Sequence, residues 1–184
     1  TKISALGDRC PDTNGDGVIT TSSGNDVLPF GQDDCVLWRT ELPGCGVIRA
    51  VAAQDEYGPD GDVHPYVWVG GFDGCVWRLD GETGEILVNA TQSPTTTYGF
   101  ALDGHGNLWI ESGGTQLGRL DTNVCRDDAS CTGEICGEDG DDCIKQVINQ
   151  PARGYGITVD FNQRVWIGGG NWPSGGGVAR YDPT

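Results

Sequence analysis

NLWIESGGTQLGRLD, residues 107–121, decides the fold. An apolar stretch centred on Trp109 runs into Ser112-Gly113-Gly114, and a second stretch carrying Arg119 follows. Paired glycines between two short apolar stretches supply the backbone freedom of a tight reversal, so the segment predicts a hairpin. The pattern recurs. YVWVGG at 66–71 precedes CVWRLD at 75–80, and VWIGGG at 165–170 precedes VARYD at 178–182. Val67 and Val69 alternate with Trp68, which is the period of a strand. A fourth Arg-bearing segment is CVLWRT at 35–40. The intervals from Arg39 to Arg78 and from Arg78 to Arg119 are nearly equal, and that from Arg119 to Arg180 is longer. The long interval holds a cysteine-rich stretch, 125–143, and with that stretch set aside it matches the other two.

A third element stands upstream of the Trp strands: IRAVAAQD at 48–55, YGFALD at 98–103 and YGITVD at 155–160. The unit is thus an apolar strand ending in Asp, a turn, a Trp strand, a Gly turn and an Arg strand. An all-β repeat of about 40 residues is the signature of a β-propeller blade. A β-sandwich also has short strands, but it does not require Trp and Gly-Gly at matched places. The expectation is an all-β β-propeller of about four blades. Residues 1–46 form a first blade-like unit, and 47–184 form three more with an insertion at 125–143. Four blades make the smallest ring, and YDPT stands where another blade would begin, so the expectation is either a larger ring completed by further residues or chains or, for a chain complete in itself, closure as four blades.

DTNGDGVIT, residues 12–20, has the spacing of a calcium loop. Asp12, Asn14 and Asp16 alternate, so their oxygens can converge, Gly17 permits the sharp bend, and Val18 can offer its carbonyl. The acidic residue usual at the twelfth loop position is replaced by Ser23, which leaves Asp26 or Asp33 to reach back. With so few side-chain oxygens, Ca2+ affinity is expected near the extracellular range, about 10⁻⁴ to 10⁻³ M. No helix pattern follows. Overlaying TKISAL on YGFALD places Val18 and Ile19 near a Trp-type strand, so the loop would be an elaborated blade hairpin.

Eight cysteines without a Cys-x-x-Cys pair predict disulfides and an oxidising, secreted or cell-surface setting rather than zinc. Cys10 and Cys35 flank the acidic loop, and a bridge there would contribute roughly 3 kcal/mol by loop closure. Cys45 and Cys75 precede matching segments and are expected to join neighbouring blades. Cys125, Cys131, Cys136 and Cys143 pair locally, either as 125–143 with 131–136 or in another scheme. A net charge of −16 excludes nucleic acid and anionic lipid as natural partners, and no apolar run spans a membrane. Trp172, in GGGNWPSGGG, is the candidate exposed contact for a protein or glycan partner.

NLWIESGGTQLGRLDT at 107–122 and VWIGGG…GVARYDPT at 165–184 resemble blades of the streptogramin (virginiamycin B) lyase type and of two-component-regulator sensor propellers. DTNGDGVIT similarly resembles an EF-hand calcium loop of the dockerin type. The lyase resemblance implies a metal-dependent enzyme using His and Glu. His105 and Glu111 are the positions that approach that pair, while Gly70 and Gly168 stand at the matching places of Glu111. Three functional expectations follow. The chain is a secreted, calcium-binding and structural propeller module, or a lyase-like enzyme, or a segment of a larger extracellular assembly.

Overall fold

The computed structural model describes residues 1–4, 10–137, 143–150, 153–170 and 176–183. Every regular element among them is a β-strand. The chain forms two compact units, Thr1–Glu41 with Gly81–Glu85, and Leu42–Asp80 with Ile86–Thr184.

The smaller unit holds a two-stranded ribbon, β1 (Lys2–Ile3) antiparallel to β2 (Val36–Trp38). Cys10 is bonded to Cys35, as the flanking positions suggest. The Trp38 indole donates to the Gly81 carbonyl at 3.1 Å, and the Thr40 hydroxyl to that of Gly84 at 2.7 Å. Gly84 is required here, because its φ is +78° and a Cβ would strike Trp38 and Thr40. The overlay of this region on a blade is corrected. Val18 and Ile19 lie in no strand and are exposed, and Trp38 is opposite Lys2, so Arg39 has no tryptophan across from it. Two strands bury too little for the local apolar pattern to extend into a sheet.

The larger unit contains three antiparallel meanders in succession. The first is β3 (Ile48–Tyr57), β4 (Val63–Gly71), β5 (Cys75–Asp80) and β6 (Ile86–Gln92), in that order. The second runs β7 (Gly99–Leu102), β8 (Asn107–Glu111) and β9 (Gln116–Asp121). It is extended by β11 (Lys145–Asn149) and then β10 (Ile135–Cys136), which pairs parallel to β11. The third is β12 (Gly156–Val159), β13 (Val165–Gly170) and β14 (Gly176–Tyr181). Their first strands are neighbours, β3 beside β7 and β7 beside β12.

The repeated residues prove to be one physical device. Trp68, Trp109 and Trp166 stand directly across from Arg78, Arg119 and Arg180. Arg78 stacks 3.8 Å over Tyr66 and pairs with Glu56 at 2.6 Å. The Asp ending the first strand organises the hairpin. Asp103 Oδ1 accepts the N–H groups of His105 and Asn107, and Oδ2 accepts the Trp109 indole N–H at 2.9 Å. Asp160 repeats this with Asn162, Arg164 and the Trp166 indole at 2.8 Å. The indole hydrogen bond is the main reason the Asp160 carboxyl lies below its ordinary value. In the first sheet the expected Asp55 is one residue out of register. Gln54 Oε1 takes the Trp68 indole, because the hairpin is longer and its turn lies at residues 58–62.

Adjacent sheets share cores. Trp68, Val76 and Val88 pack with Leu108, Ile110 and Leu120, while Trp109 and Leu117 pack with Ile148, Val165 and Ile167. Successive residues of β8 point to opposite faces, so this strand is buried on both. That explains its unbroken apolar run, LWI. The remaining bridges correct one expectation and choose between the local schemes left open for the insertion. Cys45–Cys75 ties the lead-in of β3 to β5 of the same sheet, so it does not join neighbours. The insertion pairs Cys125–Cys131 and Cys136–Cys143. Cys125 and Cys131 are buried with Trp68 and Val76, so this part of the insertion is core.

Candidate functional site

The acidic loop is organised by its own carboxylates. Asp12 Oδ1 accepts the N–H groups of Gly15 at 2.6 Å and Asp16 at 3.2 Å, and its Oδ2 accepts that of Gly17 at 2.8 Å. Asn14 Oδ1 accepts from Asp16, and Asp16 Oδ1 from Val18. Gly15 and Gly17 both have positive φ, at +76° and +84°. The three side chains therefore fold onto one short arc, and Asp12 Oδ2, Asn14 Oδ1 and the Asp16 carboxylate retain lone-pair capacity for a cation, whereas Asp12 Oδ1 is filled by two N–H groups.

Asp33 and Asp34 serve differently. Buried Asp34 accepts the backbone N–H and hydroxyl of Thr13 and the N–H of Thr20, all at 2.8 Å. It clamps both ends of the loop beside the Cys10–Cys35 bridge. The Thr20 N–H is the largest influence lowering its carboxyl from the ordinary value. Asp33 accepts the Ser22 hydroxyl at 2.6 Å, with the Ser22 and Cys35 N–H groups, and the Ser22 hydroxyl lowers it most. These three bonds tie Asp33 to its own segment, in the same number as those that tie Asp12 to the loop. Asp26 is exposed, and its backbone bridges Ser23. Among the described residues no three Asp, Glu, His or Cys side chains converge, so Asp26 does not join Asp12 and Asp16.

His105 and Glu111 lie at opposite ends of β8. The turn holding His105 borders a cavity of about 430 Å3 with Gln54, Glu56, Tyr57, Asp103 and Asn123. Glu111 ends the strand four residues past Asn107, about 13 Å away at the usual rise. The two are not brought to one pocket. Glu111 is 0 % exposed; it accepts the Gly113 N–H at 2.9 Å, and Gln150 Nε2 lies 3.3 Å from both its oxygens. A Cβ on Gly154 would collide with this carboxylate. The matching Gly70 instead leaves room for Thr97 and Phe100 of the next sheet. Large faces small in both cases, Thr97 against Gly70 and Glu111 against Gly154. Glu111 fills space between sheets.

Burial holds the Glu111 carboxyl above the ordinary glutamate value. A raised folded-state value favours the protonated form. The stability it contributes is complete below the unfolded value, about 4.3, and is lost as pH rises through the folded value. Glu111→Gln is therefore expected to raise the melting temperature at pH 7.5 by a few degrees, the effect of about 1 kcal/mol in a chain of this size. The new amide would stand beside Gln150, whose Oε1 lacks a partner. Thermal denaturation across pH 4–8 checks this, and the variant's curve should be the flatter.

A different cluster emerges at the Glu111 end of the sheets. Counting back three residues from those opposite each Trp gives Arg49, Tyr98 and Tyr155 as equivalent positions. The structure places them side by side. Arg49 Nη1 donates to the Tyr98 hydroxyl at 3.3 Å, and the Tyr98 and Tyr155 ring centroids are 4.7 Å apart. The Arg49 guanidinium lies 5.1 Å from the Tyr98 ring centre and 5.6 Å from that of Phe72. Chiefly through its hydrogen bond with Tyr155, the Tyr98 phenol is held above its ordinary value. Tyr155 is 67 % exposed and Phe72 42 %. Next to Phe72 is a shallow cavity of about 550 Å3, bordered also by Thr95, Thr96, Ser112, Thr115 and Arg153. The signal was legible as the Tyr-Gly pair opening YGFALD and YGITVD. Trp172 lies outside the described residues.

No protein-family model matches the chain, and no curated protein is significantly similar to it.

Proposed function

We propose that the chain is a secreted or cell-surface binding module, built as part of a β-propeller, with its contact surface at the end bearing Arg49, Phe72, Tyr98 and Tyr155. The carrying observation is that successive sheets set these equivalent positions side by side, with Tyr155 largely exposed. Binding surfaces favour rigid aromatic groups and arginine. The successive meanders with neighbouring first strands support the propeller reading. Four disulfides with no free cysteine support an oxidising compartment. Among the described residues no helix is long and apolar enough to cross a membrane. Sealed Glu111, remote from His105, favours binding over lyase chemistry.

Probing an array of extracellular glycans and peptides with the intact chain tests this reading. At least one class should be retained, and Tyr155→Ala should abolish retention without lowering the melting temperature. No retention by any class, or retention indifferent to Tyr155, would discard the surface.

In the same reading Ca2+ occupies the Asp12–Val18 arc and stiffens the smaller unit. Adding 10 mM Ca2+ to chelator-treated protein should stabilise that unit by about 1–3 kcal/mol at the affinity expected of extracellular sites, read as a higher melting temperature. Asp12→Ala should remove the effect, whereas an unchanged transition in the wild type would dismiss the ion.

A further inference from the structure

We propose that the Arg49–Tyr98–Tyr155 face binds a carboxylated saccharide, an inference that rests on this end being the contact surface. The chain carries 27 acidic and 11 basic residues, so carboxylates to pair every cation are plentiful. Yet Arg49 and Arg153, both exposed, form no ion pair with a carboxylate among the described residues. Arg49 is instead held by the Tyr98 hydroxyl and two rings, and Arg153 Nη2 reaches the Gly113 carbonyl at 3.4 Å. Two exposed cations at one end of the unit, neither engaged in an ion pair among the described residues, leave a place for an external anion. A guanidinium fork matches a carboxylate, which favours that anion class. Asp73, next to Phe72, accepts the Gly46 N–H at 3.0 Å and makes no ion pair with Arg49.

The surroundings select a sugar. Between Phe72 and Arg153 the cavity wall is hydroxyl and amide, with Thr95, Thr96, Ser112, Thr115, Gln116 and Asn149. Such groups donate and accept as a ring of sugar hydroxyls requires, although the Thr96 and Ser112 hydroxyls already donate to the Ser112 and Gln116 carbonyls and act toward a ligand only as acceptors. Exposed Tyr155 and Phe72 offer flat apolar faces for the C–H side of a pyranose, with a polar handle on the tyrosine. An acidic peptide would find the cations but would leave the hydroxyl-lined wall poorly matched.

Calorimetric titration of the intact chain at low salt decides the matter, with three probes of equal length: an oligogalacturonate, its neutral methyl ester and an oligoglutamate. The oligogalacturonate should bind at least tenfold more tightly than either of the others. Arg49→Gln and Tyr155→Ala should each weaken it at least tenfold with unchanged melting temperature, and Arg39→Gln, in the smaller unit, should leave it unaltered. Equal binding of the methyl ester would show a neutral-glycan surface, and equal binding of oligoglutamate an acidic-peptide surface. Either overturns the inference while leaving the binding-module reading intact. No binding of the oligogalacturonate at millimolar concentration overturns it too, and the array result alone then decides whether a binding module remains.

Discussion

Asp103→Ala should destabilise the larger unit by about 3 kcal/mol, a drop of roughly 6–12 °C for a chain of this length. One carboxylate accepts two backbone N–H groups, the Asn107 side-chain amide at 2.8 Å and the Trp109 indole N–H. Trp109 is 1 % exposed, so its orphaned N–H would find no water. A buried donor left unpaired costs about 1–3 kcal/mol, and the turn loses its organiser as well. Asp160→Ala removes the equivalent bonds, but Trp166 is only partly buried and water can replace some of them, so about half the loss is expected. Urea unfolding of both variants checks the order. If Asp103→Ala unfolds at the same urea concentration as wild type, the aspartate is not the organiser of the hairpin.

Gly154→Ala should cost about 2 kcal/mol through overpacking alone. Gly154 has no left-handed backbone to lose, so the conflict is steric, between the added methyl and the Glu111 carboxylate. That carboxylate cannot swing away freely, because it is fully buried and bonded to Gly113 and Gln150. Glu111→Ala in the same chain should restore part of the stability. A double-mutant cycle should show coupling of about 1 kcal/mol or more, as expected for residues in contact. Additive losses would mean that the two do not share one space.

The larger unit was legible because its signal is periodic and local. Trp68, Trp109 and Trp166, the Gly turns and Arg78, Arg119 and Arg180 emerge as cross-strand pairs in three sheets. The fourth match, CVLWRT, differs because a short run of apolar patterning does not make a sheet without neighbours to bury it, and among the described residues β2 pairs only with β1. Asp55 was misplaced for Gln54 because the hairpin between β3 and β4 is longer, and period-2 patterning does not report hairpin length. The tight turn at 12–18, organised by its own carboxylates, was readable from spacing. The role of Asp33 and Asp34 was not, since a carboxylate that shapes its own turn and one that clamps a distant backbone are the same letter. His105 and Glu111 are close in sequence, yet the strand set between them holds them apart. The Arg49 face escaped notice because it arises across sheets, from Tyr-Gly pairs that belong to different repeats.

β8 sends Leu108 and Ile110 into one core and Trp109 into the other. The middle sheet therefore has no face that tolerates water, and neither shared core is complete without it. Cutting the chain into single repeats would leave each piece with a wet apolar wall, so the modules are inseparable as fragments. Nearest-neighbour dependence of this kind ties their melting together, and local damage to the middle sheet should spread outward to both flanks.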